Sequence, residues 1–267
     1  MKTIIASLAL MMASLPALAQ VQPEVIYGND DRKDIFDPSN SELELRLATS
    51  TAALTFTSNL EEDPADADFF KLPTETFGDR YNLCSDEPFR NQPNPAHCSG
   101  FLVGKNVLVT AGHCIENEND CQNTSFMFGF GLHTADTDLS RIAKQDVYKC
   151  NRIIAQELTG GRGTDYAVIE LDRDVEDREP LEFRSSGTIE EGTPLVVIGH
   201  PAGLPTKIAG GAAIRDNGPA AYFVANLDTY GGNSGSAVFN ADTGVVEGIL
   251  VRGEQDFTTE DGCRVSY

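Results

Sequence analysis

Three short segments of the sequence carry residues that together could activate a hydroxyl group for attack on a carbonyl carbon. They read TAGHC at 110–114, GTDYAVIEL at 163–171 and GGNSGS at 231–236. A serine hydroxyl is a poor nucleophile near neutral pH, so it needs an imidazole to accept its proton. The imidazole needs a carboxylate that fixes its tautomer and stabilises its protonated form. The segments therefore predict Ser234 as the nucleophile, His113 as the general base and then acid, and Asp165 as the orienting group.

The glycine-rich turn around Ser234 could meet a further requirement, a pair of backbone N–H donors for the negatively charged oxygen. A glycine two residues before the serine permits an unusual backbone conformation that points such donors inward. We expect the N–H groups of Gly232 and Ser234 to fill this role. Each segment alone has an ordinary interpretation as a strand end or a turn. The combination of the three segments, in the order His, Asp, Ser, is what favours a catalytic role over a purely structural one.

Short apolar runs separated by Gly, Pro, Asn and Asp dominate the chain, and helical periodicity is scarce. The only helix-like stretch after the first residues is SELELRLATS at 41–50. Many short strands joined by turns predict an all-β barrel or sandwich. The runs are ALTFTS (53–58), SGFLVGKNVLVTA (99–111), SFMFGFG (125–131), DYAVIEL (165–171), TPLVVIG (193–199), AAYFVA (220–225), SAVF (236–239) and GVVEGILV (244–251).

Residues 1–19, MKTIIASLALMMASLPALA, have the pattern of a secretory signal peptide. One positive charge at Lys2 precedes an apolar stretch that ends in the small residues Ala17 and Ala19. The apolar stretch is too short and too interrupted for a membrane anchor, so we expect cleavage after Ala19. The sequence thus predicts an exported protein, extracellular or periplasmic, with no membrane association after cleavage.

The charge balance is strongly acidic, with a formal net charge of −21 from 41 acidic and 20 basic residues. A surface of this sign repels the phosphate backbone, so nucleic acid is not an expected partner. The acidic runs at 61–68 and 171–179 are typical of solvated loops that keep an exported protein soluble.

Six cysteines in an exported chain are more consistent with three disulfides than with free thiols. The dipeptides His97-Cys98 and His113-Cys114 invite a zinc interpretation. However, adjacent residues on a strand point to opposite faces, so a His and its neighbouring Cys would not converge on one ion. We therefore expect no metal, and the sequence indicates no cofactor.

At this point the motifs resemble those of a known family. TAGHC, DYAVIEL and GGNSGSAVF together resemble the chymotrypsin-like serine peptidases, and more closely their bacterial glutamyl-endopeptidase (V8-like) branch. The phrase DTYGGNSGS at 228–236 is similar to that branch's nucleophile motif, and VIYGNDDR at 25–32 is similar to the start of its mature members. The resemblance covers most of residues 25–253.

The resemblance implies two antiparallel six-stranded β-barrels with the active site in the cleft between them. By this comparison residues 25–177 form the N-terminal barrel with His113 and Asp165, and residues 178–267 form the C-terminal barrel with Ser234. Residues 20–24 would be a short propeptide whose removal exposes Val25. The Pro- and acid-rich stretch 59–97 is an inserted loop or an alternative activation segment.

The resemblance also implies that Cys98 and Cys114 form the disulfide that many such enzymes place beside the catalytic histidine. The other four cysteines allow three pairings. We prefer Cys121 with Cys150 and Cys84 with Cys263, because that choice keeps one link local in sequence.

Three residues, Asp228, Thr229 and Leu250, are candidates for substrate binding, and they suggest different substrate preferences. Asp228 lies six residues before Ser234, the position where trypsin-like members use an aspartate to attract Lys or Arg. The V8-like branch can carry the same motif while cutting after Glu, with a threonine that Thr229 matches and a histidine whose position falls at Leu250. Arg252 could replace that histidine. The preference between Lys or Arg and Glu stays open.

The resemblance implies a serine endopeptidase that acts on proteins or peptides, and we expect a monomer. A serine esterase with the same triad is one alternative, although the α/β-hydrolase elbow G-x-S-x-G and its order Ser, acid, His do not occur here. A non-catalytic relative that binds a partner on the same scaffold is another. No triad position is substituted.

Overall fold

The computed structural model describes residues 25–267, and the predicted signal peptide and the stretch 20–24 lie outside the described residues. The described chain is mostly β-structure. The strands are β1 Arg32–Asp34, β2 Thr51–Phe56, β3 Glu61–Glu62, β4 Phe69–Lys71, β5 Cys98–Gly104, β6 Val107–Thr110, β7 Thr124–Phe128, β8 Arg141–Ala143, β9 Val147–Leu158, β10 Asp165–Leu171, β11 Pro194–Gly199, β12 Lys207–Asp216, β13 Val224–Ala225, β14 Ala237–Asn240, β15 Val246–Ile249, β16 Phe257–Glu260 and β17 Cys263–Ser266.

Six of these strands close into an antiparallel barrel in the order β10-β6-β5-β2-β7-β9. The pattern of DYAVIEL shows why: its residues alternate between buried and half-buried along β10, so one face fills the barrel and the other does not. The interior is a cluster of side chains that includes Leu54, Leu102, Phe126 and Ile169, all fully buried. This barrel carries both His113 and Asp165.

A second set of six strands forms a sheet in the order β1-β12-β11-β14-β15, with β13 paired to β12. Strand β1 differs from the expected division of the chain into two barrels at residue 177. It precedes the whole first barrel in sequence, yet it belongs to the second sheet. Arg32 pairs with Ala209 and Asp34 with Lys207, and Lys207 Nζ also binds Asp34 Oδ1 at 2.6 Å inside the protein. The N-terminal segment therefore belongs to the sheet that positions Ser234.

The two strand sets share a core. Phe101 of β5 packs in one cluster with Ile198 of β11, Ile208 of β12 and Phe239 of β14. Helix α1 (Glu42–Ala48) adds Leu47 to this cluster and begins at Ser41, which forms a capping box with Glu44. Because apolar side chains from both sets interdigitate here, the residues at the ends of β6, β10 and β14 are held at a fixed separation.

The remaining elements cover the sheets. Segment 59–97 is not a bare loop: it carries β3, β4 and the helix α2 (Phe77–Tyr81), and Phe77 is fully buried. Helix α3 (Glu118–Asn123) follows the histidine segment. Within residues 25–267 no helix is long and apolar enough to cross a membrane. The expected all-β fold with two antiparallel six-stranded barrels is confirmed, with the hydrogen-bonded order closed in the first barrel and open in the second.

Three disulfides join the six cysteines: Cys84 with Cys263, Cys98 with Cys114, and Cys121 with Cys150. This is the pairing that the sequence analysis preferred. The second bond lies beside His113, and the first ties segment 59–97 to the hairpin of β16 and β17. Loop closure by these bonds removes entropy from the unfolded chain.

Candidate active site

His113 and Asp165 form a close pair in the first barrel. His113 lies in a short 3-10 turn, Gly112–Cys114, directly after β6, and Asp165 opens β10. The Asp165 carboxylate accepts from His113 Nδ1 at 2.9 Å and from the His113 backbone N–H at 3.1 Å. The aspartate side chain is only 3% exposed, whereas that of the histidine is 35% exposed. One buried acid thus fixes both the ring and the backbone of a histidine that faces the solvent.

This contact sets the tautomer of the imidazole. Because a carboxylate oxygen accepts and does not donate, His113 Nδ1 must carry the hydrogen in the neutral ring. His113 Nε2 is then free to accept a proton. A histidine arranged in this way can act as a general base towards a hydroxyl placed on its exposed side.

Two consecutive tight turns form the segment around Ser234, which lies in the second of them. Asn233 N–H donates to Tyr230 O at 3.1 Å, and Ser236 N–H donates to Asn233 O at 2.9 Å. The third residues of the two turns are Gly232 and Gly235, with φ of +89° and +88°. A positive φ at this place is the requirement of a type II turn, which glycine meets without strain. The pattern GGNSGS therefore encodes the backbone shape directly.

The carbonyl groups of residues 230–234 in this double turn are all engaged. Besides the two that close the turns, Gly231 O accepts from Ala202 N at 2.6 Å. Gly232 O accepts from Ser99 Oγ at 3.1 Å, and Ser234 O accepts from Ser99 N at 2.8 Å. In the described chain, the N–H groups of Gly232 and Ser234 have no such partner. A trans peptide directs its N–H away from its carbonyl, so these two donors are available for a ligand.

The structure brings the serine turn next to the histidine segment without a direct bond between the two side chains. Cys114 Sγ, in the disulfide adjacent to His113, lies 3.7 Å from Ser234 O. Among the described residues no hydrogen bond joins the Ser234 hydroxyl to His113. Such bonds are often long in ligand-free sites and shorten when substrate binds.

A metal interpretation of the same region fails on chemistry. One ligand atom each from Cys98, His113 and Cys114 lie within 4.8 Å of one another. However, the two sulfurs are bonded to each other as a disulfide, so neither is a thiolate that could hold zinc.

Asp228 does not lie on an open surface. It is 3% exposed, and its two oxygens accept from the backbone N–H groups of Tyr27 and Asp31, both at 2.8 Å. Burial raises the pKa of Asp228, while the two backbone hydrogen bonds lower it. The carboxylate that the sequence suggested for substrate binding is thus already bonded to the N-terminal segment.

Thr229 and Leu250 are also committed to internal contacts. Thr229 is 6% exposed, its N–H donates to Val25 O at 3.2 Å, and its hydroxyl accepts from Asn233 Nδ2. The Leu250 side chain packs on the apolar cluster beneath the second sheet, and its backbone bonds Gly235 and Ser236. These residues support the serine turn from the side of the second sheet.

Two residues near the site, Ser99 and Asp256, were not found by sequence reasoning, and Arg252 was suggested only as a substitute for the acid-binding histidine. Arg252 Nη2 lies 3.6 Å from Asp165 Oδ2, and its other terminal nitrogen bonds Gly163 O at 3.3 Å. The Asp256 carboxylate accepts from Gly231 N at 2.9 Å. Ser99 contacts the turn as described above. No sequence motif marks them, because each contact joins separate segments of the chain.

Comparisons with known proteins agree with this geometry. A family model for the trypsin-like peptidase domain matches residues 98–249, a range that contains His113, Asp165 and Ser234. The glutamyl endopeptidase of Bacillus licheniformis is 29% identical to this chain over 154 residues, which is 53% of the chain and 45% of that protein. The match thus spans less than half of the relative's length.

Solved structures show the same architecture. A structure described as Glu endopeptidase in complex with MPD has a TM-score of 0.53 at 20% identity, covering 86% of this chain and 88% of the other. The Vibrio cholerae VesB protease has a TM-score of 0.54 at 14% identity, covering 84% and 60% respectively. At such identities the likeness concerns the chymotrypsin-like fold.

Proposed function

Because the chain belongs to the trypsin-like peptidase family, we propose that it is a serine endopeptidase that hydrolyses peptide bonds through an acyl-enzyme on Ser234. The observation that carries the proposal is the pairing of His113 Nδ1 with Asp165 Oδ2 at 2.9 Å. It supports a histidine whose second nitrogen is ready to take a proton from a serine.

In the proposed mechanism His113 Nε2 accepts the Ser234 proton while Ser234 Oγ attacks the carbonyl carbon of the substrate. The carbonyl oxygen becomes an anion that the N–H groups of Gly232 and Ser234 stabilise. The imidazolium then gives its proton to the leaving amine, and an acyl-enzyme remains on the serine oxygen. Water attacks the acyl group in the same way, with His113 as base, and the serine is restored.

The proposed substrates are proteins or peptides. We infer that Asp228 anchors the N-terminal segment instead of a Lys or Arg side chain, since both its oxygens accept backbone hydrogen bonds. The name of the Bacillus licheniformis relative points to glutamyl cleavage by that protein. Mass spectrometry of the cut sites in a mixed-peptide digest would give the preference of this chain.

We also propose that the protein is secreted, with a signal peptide that is removed after Ala19. The three disulfides fit an extracellular protein, because they form and persist in oxidising compartments. N-terminal sequencing of the exported form would show whether residues 20–24 remain on the mature chain.

Ser234→Ala tests the proposed function. We expect the variant to lose at least a thousandfold in kcat on peptide substrates and to escape labelling by a serine-directed phosphonylating reagent. The exposed Ser185→Ala is the matched control and should behave as the unmodified protein. Peptidase activity that survives Ser234→Ala would overturn the proposal. Hydrolysis of simple esters without any cleavage of peptides would indicate an esterase, and capture of a partner without labelling would indicate a binding protein.

A further inference from the structure

Ser99, on strand β5 of the first barrel, directs its polar groups at the turn that carries Ser234. The residue is fully buried. Its N–H donates to Ser234 O at 2.8 Å, and its hydroxyl donates to Gly232 O at 3.1 Å. Its own carbonyl accepts from Thr110 Oγ1 at 2.7 Å. One residue of the first barrel thus bonds the backbone of the second unit on both sides of Asn233, through its hydroxyl at Gly232 O and through its backbone N–H at Ser234 O.

The direction of the hydroxyl hydrogen follows from its neighbours. His200 N–H donates to Ser99 Oγ at 2.9 Å, and an amide nitrogen of this kind can only donate. The Gly232 carbonyl can only accept, so the Ser99 hydrogen must point at Gly232 O. The hydrogen bonds run from His200 through Ser99 to Gly232, and each polarises the next.

The carbonyl that Ser99 bonds, Gly232 O, belongs to the peptide that joins the two turns. The peptide between Gly232 and Asn233 links the turn 230–233 to the turn 233–236, and it lies between the two N–H groups assigned to the oxyanion. Gly232 tolerates a wide range of φ and ψ, so the orientation of this peptide depends on its hydrogen bonds. Its N–H, that of Asn233, donates to Tyr230 O at 3.1 Å. In the described chain the bond that fixes it through its carbonyl comes from the Ser99 hydroxyl.

We propose that Ser99 is a positioning residue for the oxyanion site, and that its hydroxyl holds the N–H groups of Gly232 and Ser234 in convergence. This role rests on the proposed peptidase function. Ser99 does not touch the reacting atoms. It acts by fixing the linking peptide, so its loss should weaken the transition state more than the bound substrate.

Ser99→Ala tests this role against a matched control. Thr55 is also fully buried on a neighbouring barrel strand, and its hydroxyl likewise accepts one hydrogen bond, from Asn59 Nδ2, and donates one, to Pro95 O. Thr55→Val removes an equivalent hydroxyl away from the serine turn. The two variants should therefore lose a similar amount of stability, but only Ser99→Ala should lose catalytic activity.

We expect Ser99→Ala to lower kcat about tenfold with little change in KM, less than the 10²–10³ that loss of an oxyanion donor itself costs. The affinity for a peptide aldehyde, which forms a tetrahedral adduct, should fall by a similar factor. Binding of the matching peptide product should not change. Thr55→Val should leave all three quantities unchanged, and Ser99→Thr should restore part of kcat.

Equal kcat values for Ser99→Ala and Thr55→Val, or a rise in KM without a loss of aldehyde affinity, would overturn the role of Ser99 while the peptidase assignment stands. If the unmodified protein cleaves no peptide, the proposed function fails instead. Amide hydrogen exchange then still decides about Ser99, because residues 230–236 should exchange faster in Ser99→Ala than in Thr55→Val. Equal exchange rates in the two variants would reject the proposed role of Ser99.

Discussion

Three aspartates near the serine turn differ in task because their surroundings differ. Asp165 accepts two hydrogen bonds from one histidine and forms an ion pair with Arg252 at 3.6 Å, which suits it to orient an imidazole. In the described chain, the carboxylates of Asp228 and Asp256 accept hydrogen bonds from backbone N–H groups only, and burial raises the pKa of both. A carboxylate that binds two main-chain donors acts as a structural clamp.

Asp228→Asn should therefore change stability and not substrate preference. The amide keeps one acceptor oxygen, but its NH₂ group would face a backbone N–H of Tyr27 or Asp31. A buried donor without a partner costs about 1–3 kcal/mol, which would appear as a lower midpoint of thermal unfolding. The relative kcat/KM values for peptides with different P1 residues should stay the same.

The exposed Asp216→Asn is the control for this prediction, because that carboxylate bonds only its own turn at Gly218 N. If Asp228→Asn instead loses cleavage after Lys or Arg selectively while unfolding at the same temperature, the carboxylate must lie in the substrate pocket.

At the scale of elements, the strands that were predicted and the strands that were missed differ in physical character. Strand β10 coincides with its motif because its apolar residues alternate cleanly. The two longest strands went unrecognised. The β9 sequence VYKCNRIIAQEL is exposed at half of its positions and its apolar residues do not alternate, so it carries no apolar rhythm. The β12 sequence KIAGGAAIRD contains glycines and an irregular register, which mask a strand that is defined by its partners.

The residues of the candidate site also divide into those that the sequence predicted and those that it did not. Residue types and local turn chemistry predicted the histidine, the aspartate and the glycine turn, since these signals lie within a few neighbouring residues. Ser99 could not be predicted, because it is 133 residues away from Gly232 and its role exists only when the barrel packs on the second sheet. Counting back from Ser234 singled out Asp228, but its partners Tyr27 and Asp31 could not be read from spacing.

Gly232→Ala should inactivate the turn that these long-range contacts support. A Cβ at this position would lie 2.9 Å from the backbone nitrogens of Ala202 and Gly203, and a φ of +89° is strained for alanine. We expect kcat to fall at least a hundredfold while the protein remains folded by circular dichroism. Gly210→Ala is the control, since a Cβ there meets nothing closer than 3.9 Å. Normal kcat in Gly232→Ala would show that the turn adapts and that its backbone is not the oxyanion site.

For the molecule as a whole, covalent links connect regions that lie far apart in the sequence. The Cys84–Cys263 bond spans a sequence separation of 179 and attaches the β16–β17 hairpin to segment 59–97. Cys121–Cys150 spans only 29 residues within the first barrel. In the chain-entropy model the longer loop gives the larger stabilisation, about 5 kcal/mol against about 3.5 kcal/mol.

Replacing both Cys84 and Cys263 by Ala should therefore lower the free energy of unfolding more than replacing both Cys121 and Cys150. Denaturant titrations of the two double variants would measure the difference. Backbone bonds between Cys84 and Arg264 should keep the hairpin in place in the folded state, so peptidase activity should persist below the unfolding midpoint. A larger loss from the shorter link would mean that native packing around Cys121, and not loop entropy, determines the stabilisation.

Acid should destabilise the whole molecule through two histidines, the fully buried His200 and the partly buried His97. Burial, with Arg80 nearby, lowers the pKa of His97 from 6.5 to about 4, and burial lowers that of His200 to about 3. The unfolded chain therefore takes up protons near pH 6.5, whereas the folded protein does so only near pH 4 and below. This contribution to stability is complete above pH 6.5 and is lost as the pH falls towards 4. The raised pKa values of Asp228 and Asp256 act in the opposite sense.

His97→Phe isolates one of these groups. The ring stacks on Phe56 with centroids 4.4 Å apart, and its Nδ1 is buried without a hydrogen bond in the described chain, so phenylalanine should fit there. Between pH 6.5 and pH 4 the free energy of unfolding should fall by about 2 kcal/mol less in the variant than in the unmodified protein, as measured by denaturant unfolding at each pH. The exposed His133→Gln should leave the profile unchanged. An unaltered pH profile for His97→Phe would mean that His97 is protonated equally in the folded and unfolded states, and that the acid sensitivity arises elsewhere.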